Sequence, residues 1–505
     1  MSVDQRPNPA PSGPTDTGAS AAAPADDAIP AQVKLVIGVL LVASFVMILN
    51  ETVMSVAIPR LMAEFSVTAA TAQWLTTAFM LTMAVVIPTT GLILTRFSTR
   101  AVFIAAMSTF TAGTAMAAAA PVFPLLVAAR VVQASGTAVM LPLLFTTVLT
   151  FVPIARRGRT MGLISIVIAV APATGPTFSG FILANLGWRW MFLAVLPIAL
   201  VALVVGAKLV KNITTPRAVP VDVLSILLSA TAFGGLIYGL SSIGESTEGN
   251  AAVSPAVPLV IGALALTVFV WRQIRLQRDD AALLDLRPFR SRTFSVGIGM
   301  MLISMGALFG TLILLPMFLQ NIMGLTTLET GLVLLPGGLT MGLIAPFVGR
   351  AFDRVGPRPL VIPGSLVVAG ALGTMTLLSA ASPTWHAVAA HVTLSVGLGL
   401  LMTPLMTSAL GSVEPSLYSH GSAIMTTLQQ LAGGAGTALF ITVMTTRTAA
   451  GIANGLGDVE AQAGGIHDAF LCGAGLAIVA VAFSFLVRKP TTTDAAKRPE
   501  TAGAH

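Results

Sequence analysis

The sequence predicts an all-α integral membrane protein of fourteen transmembrane helices: two six-helix bundles with two further helices inserted between them. Composition is the first reason. The 505 residues are 55% hydrophobic and 9% charged, whereas a soluble domain carries roughly 25% charge. The second reason is a set of fourteen apolar segments, each near the roughly 20 residues needed to cross about 30 Å of hydrocarbon. The third is an internal repeat: Gly91 to Arg100 (GLILTRFSTR) recurs in outline 258 residues later as Gly349 to Arg358 (GRAFDRVGPR). A basic, glycine-led hairpin repeated in two halves is what two related bundles rocking about a central site would carry.

In chain order the segments are 34–58, 71–94, 101–120, 122–152, 159–184, 188–209, 222–243, 256–273, 294–319, 329–350, 359–381, 386–411, 419–445 and 468–488. The first six form an N-terminal bundle (34–209) and the last six a C-terminal bundle (294–488), with the two inserted helices and their linkers at 210–293. Residues 1–33 and 489–505 read as polar tails; the first is rich in Pro, Ala, Ser and Asp and lacks the apolar core of a signal peptide.

The net charge of +7 is asymmetrically placed. With the N-terminus inside, only Arg60, Arg189 and Arg447 fall on the outer side and Arg130 lies within a span; all other basic residues are internal. This is the positive-inside pattern, and it predicts both termini in the cytoplasm and excludes nucleic acid as the reason for the charge. Trp74, Trp188, Trp190, Trp271 and Trp385 fall near segment ends, as an aromatic belt requires. Five Lys against twenty-two Arg point to a GC-rich bacterial genome. Cys472 stands alone, so no intramolecular disulfide forms.

Glu51 is the one carboxylate well inside a predicted span. Such a charge costs roughly 2.5–3.5 kcal/mol to insert, so it needs a compensating role. It lies nine residues before Arg60, about 13 Å from the outer surface at 1.5 Å per residue. Arg130 lies eight residues into a segment that starts at that surface, about 12 Å deep. The two are candidates for proton coupling, or for a structural ion pair. Asn50, Gln133, His391, Gln429 and Gln430 are candidates for the substrate cavity or for hydrogen bonds between helices; His391 is also a candidate proton relay. Gly91, Thr95, Arg96, Arg100, Gly349, Asp353, Arg354 and Arg358 of the hairpins are candidate gating residues. Their alternative is to serve as positive-inside loops and nothing more. Pro172, Gly175, Pro176 and Gly180 place four helix-weakening or small residues within nine positions, a candidate bend. No P-loop, His-Glu-x-x-His or paired-Cys motif occurs, so no cofactor or metal and no ATP chemistry is expected.

Several motifs in order resemble the major facilitator superfamily, in particular its fourteen-span drug:proton antiporter subfamily of the EmrB/QacA, lincomycin-resistance-like type. LNETVMSVAIP (49–59), QWLTTAFMLTMA (73–84), GLILTRFSTR, ARVVQASG, APATGPTFSG, WRWMFLAVLP and APFVGRAFDRVGPR carry the resemblance, which covers residues 34–488. It implies a cavity between the bundles near the bilayer midplane, and export of amphipathic compounds by a monomer in the bacterial cytoplasmic membrane. Protons entering through Glu51 would drive that export. Thr95 stands where the family's first hairpin carries an Asp that latches the cytoplasmic side; the second copy keeps Asp353. Three alternatives stay open: a dedicated exporter of one metabolite, lipid or antibiotic, an importing or passive carrier, and a non-transporting sensor.

Overall fold

The computed structural model describes residues 30–67, 69–212, 216, 221–247 and 254–487. The C-terminal tail and all but the last four residues of the N-terminal tail lie outside that set. Among the described residues every regular element is helical. With no water to satisfy backbone N–H and C=O groups, a chain this apolar pairs them within helices.

The helices are α1 (Ala31–Phe65), α2 (Ala69–Val86), α3 (Thr90–Arg96), α4 (Thr99–Ala118), α5 (Phe123–Phe151), α6 (Arg157–Asn185) and α7 (Arg189–Leu209). They are followed by α8 (Val223–Thr247), α9 (Ala256–Leu276), α10 (Arg292–Met317), α11 (Thr327–Val355), α12 (Arg358–Met375), α13 (Thr384–Gly411), α14 (Tyr418–Ala453) and α15 (Asp458–Ser484). Twelve spans among the described residues are long and apolar enough to cross a membrane. α6 and α14, 29 and 36 residues long, are not among the twelve; α14 is diluted by Gly, Thr and two Gln.

Local chemistry adjusts the expected limits. The segment expected at 71–94 is two helices, because Pro88 lacks an N–H and a 3₁₀ turn over Ile87–Thr89 separates α2 from α3. The last segment begins ten residues before its expected start, at Asp458, with Asp458 and Glu460 favouring the N-terminal end of the dipole. α11 starts with a capping box: Thr326 Oγ1 accepts from Glu329 N (3.3 Å), and Thr326 N donates to Glu329 Oε2 (2.8 Å). It stops at Gly356, whose φ of +80° a β-carbon would disfavour.

α1, α2 and α4 to α7 pack among themselves, as do α10 to α15, while α8 and α9 form a hairpin whose α8 touches α2 and α14. Small residues allow close crossings within each bundle: a β-carbon on Gly136 would lie 2.3 Å from Ala106 O, and one on Gly436 2.3 Å from Gly306 Cα. Four of the five tryptophans are exposed on helix ends, but Trp188 is only 3% exposed. It packs tilted against Phe65 and edge-to-face with Phe192 (centroids 5.5 and 6.3 Å) inside the first bundle, so packing rather than an interface claims it.

The hairpin is fastened at the end that carries the basic loops. Asp222, before α8, bonds Arg272 of α9 (Nε 2.9 Å) and Ser225 (2.6 Å). Burial raises its carboxyl pKa, yet the bonds from Arg272 and Ser225 win and hold it below the usual range. Beyond α9 the chain turns back: Gln273 Oε1 accepts from Leu284 N (3.2 Å), and His420 Nδ1 of α14 accepts from Asp285 N (3.3 Å). Hydrogen bonds to Asp285, against the cost of burial, and then to Asp280 raise the pKa of Arg287.

Candidate functional site

Arg130 is the largest fully buried side chain, with no exposed surface. α5 carries it into the first bundle, where α1 and α2 supply acceptors: Asn50 O (3.4 Å) and Leu75 O (3.4 Å). Gln133, one turn further along α5, accepts at 3.0 Å and donates onward to Thr114 of α4 at 2.9 Å. The guanidinium lies over the Phe79 ring, 4.1 Å from its centroid, a cation–π contact of about 2 kcal/mol when desolvated. Four helices thus lock one cation. The amide of Gln133 is taken up by these bonds and braces Arg130.

Glu51 is half-buried where the bundles meet. It feels the charge of Arg130, and the side-chain amide of Gln430 of α14 lies close enough to favour its ionised form. The ion pairs among the described residues do not include Glu51 with Arg130. The equal depths read from the sequence therefore describe neighbours in electrostatic reach, without direct contact. Gln429 faces Met301 of α10 instead (3.2 Å), and His391 sits inside the second bundle against α11. Asn50 lies beside Glu51 with its Nδ2 buried and unpartnered. Between the bundles, Ser165 and Ile168 of α6 face Met305, Met341, Met402 and Met406 of the second bundle across a narrow apolar crevice. Methionine side chains adapt to varied shapes. An open groove on the outer face of α14 and α15, beside the exposed Arg447–Asp468 pair, is remote from Glu51.

The bundles join at the basic end. Asp353 of the second hairpin accepts from Gly158 N (2.8 Å) and Arg159 N (2.9 Å), satisfying free N–H groups of the first turn of α6 with a charge that suits its dipole. The matching position in the first hairpin is neutral: Thr95 Oγ1 meets Ser419 Oγ of α14's first turn at 3.2 Å. Thr146–Ser422 (3.0 Å) and Ser165–Thr403 (2.8 Å) add two more hydroxyl pairs. Arg157 donates to Leu149 O of α5 and to Val152 O just beyond its end, and reaches Tyr418 OH of α14 (3.2 Å). Glycines allow this closeness: a β-carbon on Gly349 would stand 2.2 Å from Gly158 O, and one on Gly91 2.8 Å from His420 Nδ1.

Arg96, Arg100, Arg354 and Arg358 are exposed at this end. α6 runs unbroken through Pro172 and Pro176. Gly175 packs on Thr52 of α1, where a β-carbon would meet Oγ1 at 2.2 Å, while Gly180 has nothing within 4 Å. The side chain of Pro176 is outside the described residues. Gly158, Ser419, Tyr418 and His420 escaped the sequence reading. Only the repeat of the hairpin, with its one retained Asp, hinted that a partner helix end had to exist.

The missing charge at Thr95 gives a prediction. Thr95→Asp places a carboxylate at the start of α14, worth about 0.3–2 kcal/mol to the joined state. Turnover should slow, and a cysteine at Thr146 should become harder to label with an impermeant maleimide. Faster labelling than in the parent would contradict the latch.

Two helical bundles joined at the basic end, with twelve membrane-crossing candidates among the described residues, are the architecture of a membrane carrier. The chain belongs to the Major Facilitator Superfamily, whose model matches residues 40–437. It is 41% identical to the lincomycin resistance protein LmrB of Listeria monocytogenes, over 90% of this chain and 96% of that protein. It is 32% identical to the multidrug resistance protein B homolog of Mycobacterium tuberculosis, over 81% of this chain and 75% of that one. The fold matches the crystal structure of the human organic anion transporter MFSD10 (TETRAN) with a TM-score of 0.64, at 14% identity, covering 90% of this chain and 99% of that one. It is a multi-pass membrane transporter of small molecules, as its motifs implied.

Proposed function

We propose that the protein exports amphipathic drugs or toxic compounds from a bacterial cytoplasm in exchange for protons. It would do so by alternating access, as a monomer with fourteen crossings, six plus two plus six, and both termini inside. One observation carries the proton coupling: Glu51 stands at the meeting of the bundles, with Gln430 of the second bundle as its partner and Arg130 of the first within electrostatic reach. An ionised Glu51 accepts from the Gln430 amide and is favoured by the cation; a protonated one loses the attraction of the cation and keeps only a weaker, neutral bond to the amide. Loading a proton therefore loosens a bond between bundles, and releasing it restores the bond. The basic end is the cytoplasmic end, and its joined helices correspond to the outward-facing state. The relatives named for lincomycin and multidrug resistance support a drug as cargo.

One proton entering down 100 mV supplies about 2.3 kcal/mol, enough to hold a gradient of about fortyfold for a neutral drug. The test is drug-triggered alkalinisation of acid-loaded everted vesicles with lincomycin and a panel of unrelated lipophilic drugs. Wild type should respond and Glu51→Gln should not. A mutant that still concentrates drug against its gradient refutes the assignment. A wild-type response to one scaffold only would replace multidrug export with a dedicated cargo.

A further inference from the structure

The second bundle repeats the Arg130 site with a titratable residue in the cation's place. α10 and α13 each begin 261 residues after α1 and α5, and at the same offset His391 answers to Arg130 and Thr311 to Asn50. The hairpin offset of 258 relates α2 to α11 and maps Phe79 onto Gly337 and Leu75 onto a position next to Leu334. Contacts follow the mapping. Arg130 bonds Leu75 O and covers Phe79; His391 bonds the Leu334 backbone and fills the notch left by Gly337, where a β-carbon would lie 2.3 Å from its Cδ2. Glu51 has no counterpart: the matching residue is Leu312. The second bundle has thus lost the carboxylate and kept, at the cation's position, an imidazole.

That imidazole is 4% exposed, and its Nδ1 has no hydrogen-bond partner. With its other edge turned to the Leu334 backbone, a neutral imidazole that carries its proton on Nε2 keeps a lone pair on Nδ1. Thr311 Oγ1 and Asn50 Nδ2, equivalent in the two halves, are buried and unpartnered as well. An unmade bond to a buried polar group costs about 1–3 kcal/mol, and groups kept in that condition are ones that water or a proton reaches in another state. No charged group faces His391. α6, α10 and α12 carry theirs in the first turns at the basic end (Arg157 and Arg159, Arg292, Arg358), as α11 does in its last turns with Arg350, Asp353 and Arg354. Glu329 of α11 is eight residues before Gly337, about 12 Å away along the helix. On α14, His420 and Arg447 lie toward opposite ends, and His386 on α13 itself is five residues nearer the outer end.

We infer that His391 is a second proton-carrying site, so that each cycle moves two protons, one on Glu51 and one on His391. Only a proton moves. Nδ1 takes it from water when the second bundle opens outward and gives it to water when it opens inward, while Nε2–H stays on Leu334. The inference rests on the proton-antiport reading above.

The experiment is a zero-flux measurement in proteoliposomes, with the membrane potential clamped at zero and a pH difference of one unit. The probe is whichever of lincomycin and ethidium the wild type exports. Each coupled proton balances about a tenfold substrate gradient under these conditions. The expected balance point is about hundredfold for wild type and about tenfold for His391→Gln, whose side chain keeps an N–H for Leu334. A variant with altered rate or KM but an unchanged hundredfold point has lost only a structural contact, and the inference falls. A wild-type point of tenfold overturns it without any variant, which covers a His391→Gln that fails to fold. If wild type shows no balance point other than equality, the antiport reading itself fails.

Discussion

Gly349→Val is expected to abolish most export while leaving the protein folded. In the joined state a β-carbon at this position would stand 2.2 Å from Gly158 O and 3.0 Å from Arg159 Cα, so α6 and α11 must part by about 1 Å before ordinary contact is restored. Overpacking of this kind costs about 1–3 kcal/mol, and every joined contact nearby depends on the same approach, including the Asp353 bonds to Gly158 and Arg159. In the alternating-access cycle proposed above, a state open at the basic end would not make these contacts and would bear none of the cost. Export should fall about tenfold or more, and a cysteine at Thr146 should label faster from the basic side in a Cys472→Ser background. Gly180→Ala is the control, since nothing lies within 4 Å of its β-carbon. Parent-like labelling and transport in Gly349→Val would show that the hairpin glycine does not set the closure.

Arg130→Leu should have the larger effect on stability. It strips donors from Asn50 O, Leu75 O and the Gln133 amide at once, in a place where no water replaces them, and it removes the cation that Glu51 feels. Breaking a buried charged cluster by deleting one partner costs about 3–5 kcal/mol. The detergent-solubilised variant should melt well below wild type. Arg130→Lys separates the roles: it keeps the charge but loses the planar fork that serves three acceptors. It should stay folded with impaired drug-triggered proton release. A normal melting temperature and normal transport in Arg130→Leu would remove Arg130 from the mechanism.

Both predictions turn on residues that the sequence singled out, but for reasons it exposed unevenly. Helices were legible because a bilayer imposes length and hydrophobicity on each segment, and the Gly91 and Gly349 hairpins were legible because they repeat. Depth along a helix was also legible, which is why Glu51 and Arg130 stood at one level. Direction around the helix was not. Gln133 and Gln430 are the same residue type in similar surroundings, yet one braces Arg130 within a bundle and the other meets Glu51 across the divide. The break at Pro88 was missed because hydropathy ignores a lost N–H. Gly158, Ser419 and His420 went unremarked because their importance comes from what a distant helix places against them.

The position of α8 has a consequence for how cargo arrives. Two lateral seams run between the bundles, and they are sealed differently. Along one, α6 and α11 touch directly through their glycines; along the other, α8 lies over both α2 and α14, with Tyr238 stacked on Trp74 and Leu240 against Gly434. In the proposed cycle, parting of the bundles would open the first seam onto lipid while the second stayed behind a helix. A compound dissolved in the bilayer would then have one doorway into the carrier, not two, and the inserted hairpin would decide which.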